Sequence, residues 1–422
     1  MHRGSRLDVS SPMAEPPVSH AWHAAHWLTP RRLDLLLRFR SAAGLPIGRA
    51  RFRAMGLPDE AIETTLRRIR SLAMWDNAWT WTAHRCLAEG RRLTELGRER
   101  EAALARRHAA MADHAATLLV FDNPKKLRTL RSSISMLFAQ TLPVLLPHVR
   151  RVEIAWRTTT LPGYLALPSL AARPAPLVVL LNGATTAKEE TLLWSQEFLA
   201  HGLAVLALDQ PGTGEAALGL ELTADCDDFT DGVFAFADAE VDLDEGRIAL
   251  VGFSLGGALA LQAAAGDRRI AATVAVTPPY DASRWFDRIN PLLRTQLTAL
   301  AGDPARAQRL IDDFALPGIG KRLRCPLLVI GAGRDLIVPP TESLHLAMDA
   351  GDLATLLWFP HAGHGVYEAV ADWTEDTARW LLAVMANSRV AQPGDNADVA
   401  VDAAEVRSQP SEAVTPPLVA AT

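Results

Sequence analysis

Apolar positions along this chain change their spacing near residue 150. From about Ala21 to Val149 they recur at helical intervals, as at Leu33, Leu36 and Leu37 or Ala102, Ala105 and Ala109. Arg/Glu-rich faces alternate there with Ala/Leu faces, which predicts a helical bundle. Strand-like segments then begin, first at Arg151–Trp156 and Leu161–Leu167. They continue at Leu177–Leu181, Ala204–Leu208, Arg247–Val251, Ala271–Val276, Pro326–Ile330 and Leu356–Phe359. Helix-like segments separate these runs as far as about Ala386, so the region reads as α/β with a doubly wound, mostly parallel sheet. Residues 1–20 and 387–422 lack any period and are rich in small and polar residues, so both are expected to be disordered. The predicted organisation is a disordered start (1–20), a helical domain (21–150), an α/β domain (151–386) and a disordered tail (387–422).

Composition narrows the class without naming a chemistry. The chain has 422 residues, 49% of them apolar and 22% charged, which suits a soluble globular protein with a module added to its main core. Its formal net charge is -5 and its 43 basic residues are spread evenly, so no nucleic-acid partner is expected. Three cysteines without a CxxC argue against structural zinc and against a disulfide scaffold. Met1 to His20 has no apolar leader core, and no run has membrane-span length. The expectation is a cytoplasmic protein without a membrane partner.

The chemistry lies at strand ends. Gly252-Phe253-Ser254-Leu255-Gly256-Gly257 stands between the Arg247–Val251 run and a helix of small residues. That strand–turn–helix setting is what a nucleophile elbow requires, with glycines where side chains would collide in the tight turn. Downstream, the 326–330 run leads into Gly331-Ala332-Gly333-Arg334-Asp335, and the 356–359 run into Pro360-His361-Ala362-Gly363-His364-Gly365. Ser254, Asp335 and His364 thus follow the order of nucleophile, acid and base found in α/β-hydrolases. Each sits just past the carboxyl end of a predicted strand, where open α/β sheets build their sites. His361 competes for the base, and the Gly-His-Gly context favours His364. The backbone N–H of Leu255 is the first candidate oxyanion donor. That of Ala184, in the loop Asn182-Gly183-Ala184-Thr185-Thr186, is the second. No metal or organic cofactor is required by this set.

Four further residues stay open between two readings. Lys188, followed by Glu189 and Glu190, is either a pocket cation that draws in an anionic or enolic substrate or one half of a surface pair at a helix start. Asp281 is either a helix N-cap or a carboxylate aimed at the site. Trp75 and Trp79 are either core or substrate-stacking. Asp209, in Asp209-Gln210-Pro211-Gly212-Thr213-Gly214-Glu215, reads as a turn former.

The segments Gly183 to Glu190, Asp209 to Glu215 and Gly252 to Gly257, with Asp335 and His364, resemble one branch of the α/β-hydrolases. It includes 2,6-dihydroxypseudooxynicotine hydrolase, the fungal pigment hydrolases that shorten a polyketide, and the fermentation–respiration switch esterases. The likeness extends from about Met74 to Ala386, through Trp75, Trp79 and the Leu161-Pro162-Gly163-Tyr164 strand. It implies an α/β-hydrolase fold with an N-terminal helical lid, a triad of Ser254, Asp335 and His364, and oxyanion donors at Ala184 and Leu255. Several members cleave carbon–carbon bonds beside a ketone, so the expected activity is ketone or ester hydrolysis; members are often homodimers. The chain departs from the branch in Ala184-Thr185-Thr186-Ala187, where relatives often carry an acidic residue and a serine. Acyl transfer or a lyase reaction on the same triad, and a non-catalytic binding protein, are the competing readings.

Overall fold

The computed structural model describes residues 4–7, 29–45, 48–120, 123–169, 173–289 and 291–388. Strand β1 (Ser5–Leu7) comes first. Among the described residues the helices that follow are α1 (Pro30–Arg40), α2 (Arg49–Ala54), α3 (Asp59–Arg68), α4 (Trp75–Glu95), α5 (Glu99–Thr117) and α6 (Pro124–Ala139). Asn123 caps α6 by accepting from the Lys126 N–H, and Pro124 occupies its first turn, where a missing N–H costs nothing. A single helical turn, α7 (Leu142–Leu145), leads into the sheet.

The strands are β2 (Val149–Trp156), β3 (Thr159–Ala166), β4 (Ala175–Leu181), β5 (Ala204–Leu208), β6 (Leu243–Phe253), β7 (Ile270–Val276), β8 (Leu327–Ala332) and β9 (Ala354–Phe359). Their spatial order is β1-β9-β8-β7-β6-β4-β5-β3-β2. Strands β5, β4, β6, β7, β8 and β9 are mutually parallel, while β2, β3 and β1 are antiparallel to their neighbours. The doubly wound, mostly parallel sheet read from the sequence is therefore present. Central strands β4, β5 and β8 are buried at every position, and edge strand β2 alternates, as two covered faces and a half-covered margin demand. The helices that follow the central strands are α8 (Lys188–Leu192), α9 (Gln196–Ala200), α10 (Phe229–Ala239), α11 (Leu255–Gly266), α12 (Pro291–Ala301), α13 (Pro304–Asp313), α14 (Thr341–Ala350) and α15 (Val370–Ser388).

The two-residue period of the strands divides the core. Val178 and Leu180 join the N-terminal helices and Trp373 on one face, whereas Leu177, Val179 and Leu181 join Phe229 and Leu259 on the other. The N-terminal helices thus share a core with the sheet, and Phe138 meets Tyr164 with ring centroids 5.6 Å apart. One expectation is corrected at the start of the chain. Within 1–20, Ser5 to Leu7 pair with Leu356 to Trp358, because the open margin of β9 offers unpaired backbone groups that local pattern does not reveal. The expected tail lies outside the described residues beyond Ser388. No described helix is long and apolar enough to cross a membrane.

Asp113 on α5 is buried, its Oδ2 accepting from Ser133 Oγ at 2.9 Å. Burial pushes its carboxyl up to about 6, against the pull of Ser133 and of nearby His84. Since the folded value exceeds the ordinary 3.8, stability is gained as pH falls through that window and lost as pH rises through about 6. The limit is about 3 kcal/mol. Asp113→Asn is expected to raise Tm at about pH 7.5 and to change it far less at about pH 4.5. Thermal unfolding at both pH values checks this; equal shifts would contradict it.

Candidate active site

The loops at the carboxyl ends of β4, β6, β7, β8 and β9 converge. Ser254 follows β6 directly and holds φ 50 and ψ -116, a left-handed conformation that a serine adopts only under constraint. Its N–H donates to Val276 O at 2.8 Å. The turn is closed enough that a Cβ at Gly252 would lie 2.1 Å from Gly256 O, and one at Gly256 would lie 2.4 Å from Asn182 O. Thr277 (φ 45) and Val366 (φ 51) are strained in the same way. Three of the five non-glycine residues with positive φ among those described therefore stand at this edge. Strain gathered in one place marks a site whose geometry the fold enforces.

His364 and Asp335 are brought together: His364 Nδ1 lies 2.7 Å from Asp335 Oδ2. The other carboxylate oxygen accepts the N–H groups of Ile337 (2.8 Å) and Val338 (2.9 Å), which fixes the Asp335 rotamer. The histidine loop reaches the end of β7, the strand beside the serine strand, through the Gly365 N–H, which donates to Thr277 Oγ1 at 3.1 Å. His361 is exposed. Edge-on contacts of Trp194 with Phe253 (4.7 Å) and with Tyr367 (5.6 Å) tie the elbow to the histidine loop from beneath.

The loop after β4 passes close to the elbow, since a Cβ at Gly183 would lie 3.4 Å from Ser254 Cβ. Ala184 follows and lines a cleft of about 90 Å³, whose walls do not include Ser254, Asp335 or His364. Leu255 opens α11, where an N–H has no acceptor within its own helix. The cleft is walled by α5, α6 and α12, by Ala184 to Ala187, and by Glu189 and Glu215.

Lys188, Asp281, Trp75 and Trp79 do not line that cleft. Lys188 is fully buried, with Nζ 3.0 Å from Asp209 Oδ2, 2.9 Å from Glu215 Oε2 and 2.7 Å from Glu189 Oε1. These carboxylates outweigh the desolvation that would discharge the amine and hold its pKa well above the usual value. Burial itself pushes the Glu189 carboxyl up. Asp209 also accepts from Asn182 Nδ2, Lys188 N and Glu215 N, and so ties the loops after β4 and β5 together. Asp281 turns onto Ser283 Oγ and onto Arg284 Nε at 2.6 Å, and it starts a short helical turn. Trp75 and Trp79, one helical turn apart, pack inward on Phe52, and Trp75 Nε1 donates to Ala115 O at 2.8 Å. All four side chains are buried.

Residues of the helical part that the sequence did not single out complete the site. Arg51 on α2 reaches Glu190 with Nε to Oε1 at 2.9 Å and Nη2 to Oε2 at 2.8 Å, and it donates to Thr185 Oγ1 and Thr185 O. His114 Nε2 lies 2.8 Å from the same Glu190 Oε2. Arg51 and His114 hold the Glu190 carboxyl below its usual range despite complete burial. The partners are 139 and 76 residues apart, a separation at which no local pattern signals the contact.

Residues 178–380 match the model of the alpha/beta hydrolase family. The chain is 28% identical over 288 residues to "2,6-dihydropseudooxynicotine hydrolase" of Paenarthrobacter nicotinovorans, spanning 65% of this chain and 77% of that protein. It is 32% identical over 301 residues to "Hydrolase ffsE" of Aspergillus flavipes, spanning 56% of this chain and 66% of that one. The crystal structure of the 2,6-dihydroxy-pseudo-oxynicotine hydrolase superposes with a TM-score of 0.70 at 21% identity, covering 82% of this chain and 98% of that one. Wild-type AbyA5 superposes with a TM-score of 0.60 at 21% identity, covering 79% and 91%.

Proposed function

Because residues 178–380 match the alpha/beta hydrolase family model, we propose that the chain is a serine hydrolase cleaving a carbonyl substrate, at a carbon–carbon bond beside a ketone or at an ester. The observation that carries this reading is the 2.7 Å hydrogen bond from His364 Nδ1 to Asp335 Oδ2, on the sheet edge where Ser254 is held at positive φ. With Nδ1–H donated to Asp335, the lone pair of His364 stands on Nε2, the nitrogen that takes a proton. Ser254 Oγ attacks the carbonyl carbon as its proton passes to that Nε2. The carbonyl electrons move onto oxygen, where the N–H groups of Ala184 and Leu255 hold the negative charge. Collapse breaks the bond to the leaving group, which takes the proton from His364. In an ester that group departs as an alcohol; in a β-diketone or acyl phenol it departs as a resonance-stabilised carbon that is protonated. Water deprotonated by His364 then attacks the acyl-enzyme, and the acid leaves with Ser254 restored.

Intact-mass labelling with a fluorophosphonate, followed by product analysis on paired aryl esters and acyl-phenol ketones, tests this. One adduct on the wild type, absent from Ser254→Ala, together with release of a free acid is the expected result. A folded wild type that forms no adduct and releases no acid would refute it.

A further inference from the structure

The cleft beside Ala184 holds one guanidinium without a direct partner among the described residues. Four of its lining side chains are His114, Arg131, Glu189 and Glu215, and three of these are already committed. His114 is bonded to Glu190. Glu215 Oε2 receives Lys188 Nζ at 2.9 Å, Arg151 Nη1 at 2.7 Å and Ser135 Oγ at 2.7 Å. Glu189 stands 2.7 Å from Lys188 Nζ. Arg131 has no hydrogen bond or ion pair among the described residues.

Its placement is not that of a solvated surface arginine. Arg131 sits on α6 with Leu127 four residues before it and Ile134 three residues after, so all three share one helix face, and all three line the cleft. Burial opposes its charge, and the offsetting influence comes from Asp209, whose oxygens already accept from Asn182, Lys188 and Glu215. A guanidinium does not discharge under these conditions, and an unmatched cation in an apolar wall costs stability. Within the neighbouring cluster Lys188 holds Asp209 and Glu215, and Arg151 holds Glu215 and Glu153, each by direct contact. Arg131 is the lining guanidinium that no described carboxylate contacts. A ligand in the cleft can supply that direct counter-charge.

We propose that Arg131 is the anion-recognition residue of this cleft, and that the substrate bears an oxyanionic group, a carboxylate or an ionised enol, on an otherwise apolar body packed against Leu127, Ile134 and Leu300. The inference rests on the hydrolase reading of the adjoining site, which meets this cleft at Ala184, and names its substrate class. The anionic demand attached to Lys188 on sequence grounds thus falls on a residue of the helical part.

Binding of non-hydrolysable ligands to the full chain tests the inference apart from turnover. The probes are monoanilides of the straight-chain dicarboxylic acids from succinate to suberate, each against the alkananilide with methyl in place of carboxylate. Dimedone, ionised at neutral pH, against 3,3-dimethylcyclohexanone supplies the enolate arm. In at least one arm the wild type is expected to prefer the anion by about tenfold to hundredfold, the range of a charge-assisted pair. Arg131→Gln brings that ratio to about one, and Arg131→Lys keeps most of it, as a charge effect requires. Preference in the dicarboxylate arm alone assigns a carboxylate, and preference in the dimedone arm alone an enolate. A wild type without preference in either arm, or an Arg131→Gln protein that keeps it, overturns the proposal. Anion preference without cleavage of any ester or ketone would remove the hydrolase reading and leave the anion site standing; cleavage without preference would do the reverse.

Discussion

Ser254→Ala is expected to lower kcat on an activated aryl ester by about 10⁴- to 10⁶-fold, the scale on which serine nucleophiles of triads are lost. The nucleophile and its base act as one unit, so the double variant Ser254→Ala/His364→Ala should fall hardly further. Asp335→Asn is the more discriminating companion. Asp335 accepts from His364 Nδ1 and, on its other oxygen, from two backbone N–H groups. An asparagine satisfies the geometry, yet it lets the imidazole take the wrong tautomer, which costs about 10⁴-fold where it has been measured in other triads. Initial rates with enzyme in excess over contaminating esterase check both. A Ser254→Ala protein that keeps more than a tenth of wild-type kcat would exclude the triad.

Lys188→Met is expected to produce the largest stability loss of any single substitution in the sheet loops. The side chain is wholly buried among Asp209, Glu215 and Glu189. Removing the cation leaves Asp209 in a sealed site facing two further carboxyl groups, and breaking a buried pair from one side costs about 3–5 kcal/mol. That is a large share of an ordinary folding stability of about 5–15 kcal/mol. The damage should reach the site, because Asp209 also holds Asn182 and so positions the loop that carries Ala184. Denaturant unfolding gives the stability change, and the rate of fluorophosphonate labelling gives the loop's contribution. A loss below about 1 kcal/mol, the scale of an exposed pair, would contradict the buried-hub account.

What was legible in the chain was whatever local sequence encodes. The six parallel strands announce themselves because a parallel sheet covered on both faces needs continuous apolar runs. The elbow announces itself because Gly252 and Gly256 stand where no Cβ fits. Asp335 and His364 could be placed at neighbouring strand ends, and their hydrogen bond joins them there. Contacts made across the fold leave no such trace. Nothing near Arg51 announces Glu190, and nothing in Lys188-Glu189-Glu190 announces that Asp209 and Glu215, 21 and 27 residues on, enclose the lysine. Trp75 and Trp79 were ambiguous because one-turn spacing suits a core stripe and a substrate wall equally, and only the position of Phe52 decides between them. Strand β1 exists because β9 has a free margin, a property of the assembled sheet rather than of Ser5 to Leu7.

The grip of Arg51 on Glu190 and Thr185 bears on how such a protein diversifies. Cap helices are an attractive unit to exchange when a new specificity is sought, since the catalytic loops stay behind. Here the exchange would strand a buried carboxylate beside the Ala184 loop, because the two side chains that hold it, Arg51 and His114, leave with those helices. Chimeras that graft a foreign cap onto this sheet must therefore carry an arginine and a histidine at matching positions, or neutralise residue 190 at the same time. Positions 51, 114 and 190 are therefore expected to be coupled, so that a change at one is tolerated best with matching changes at the others.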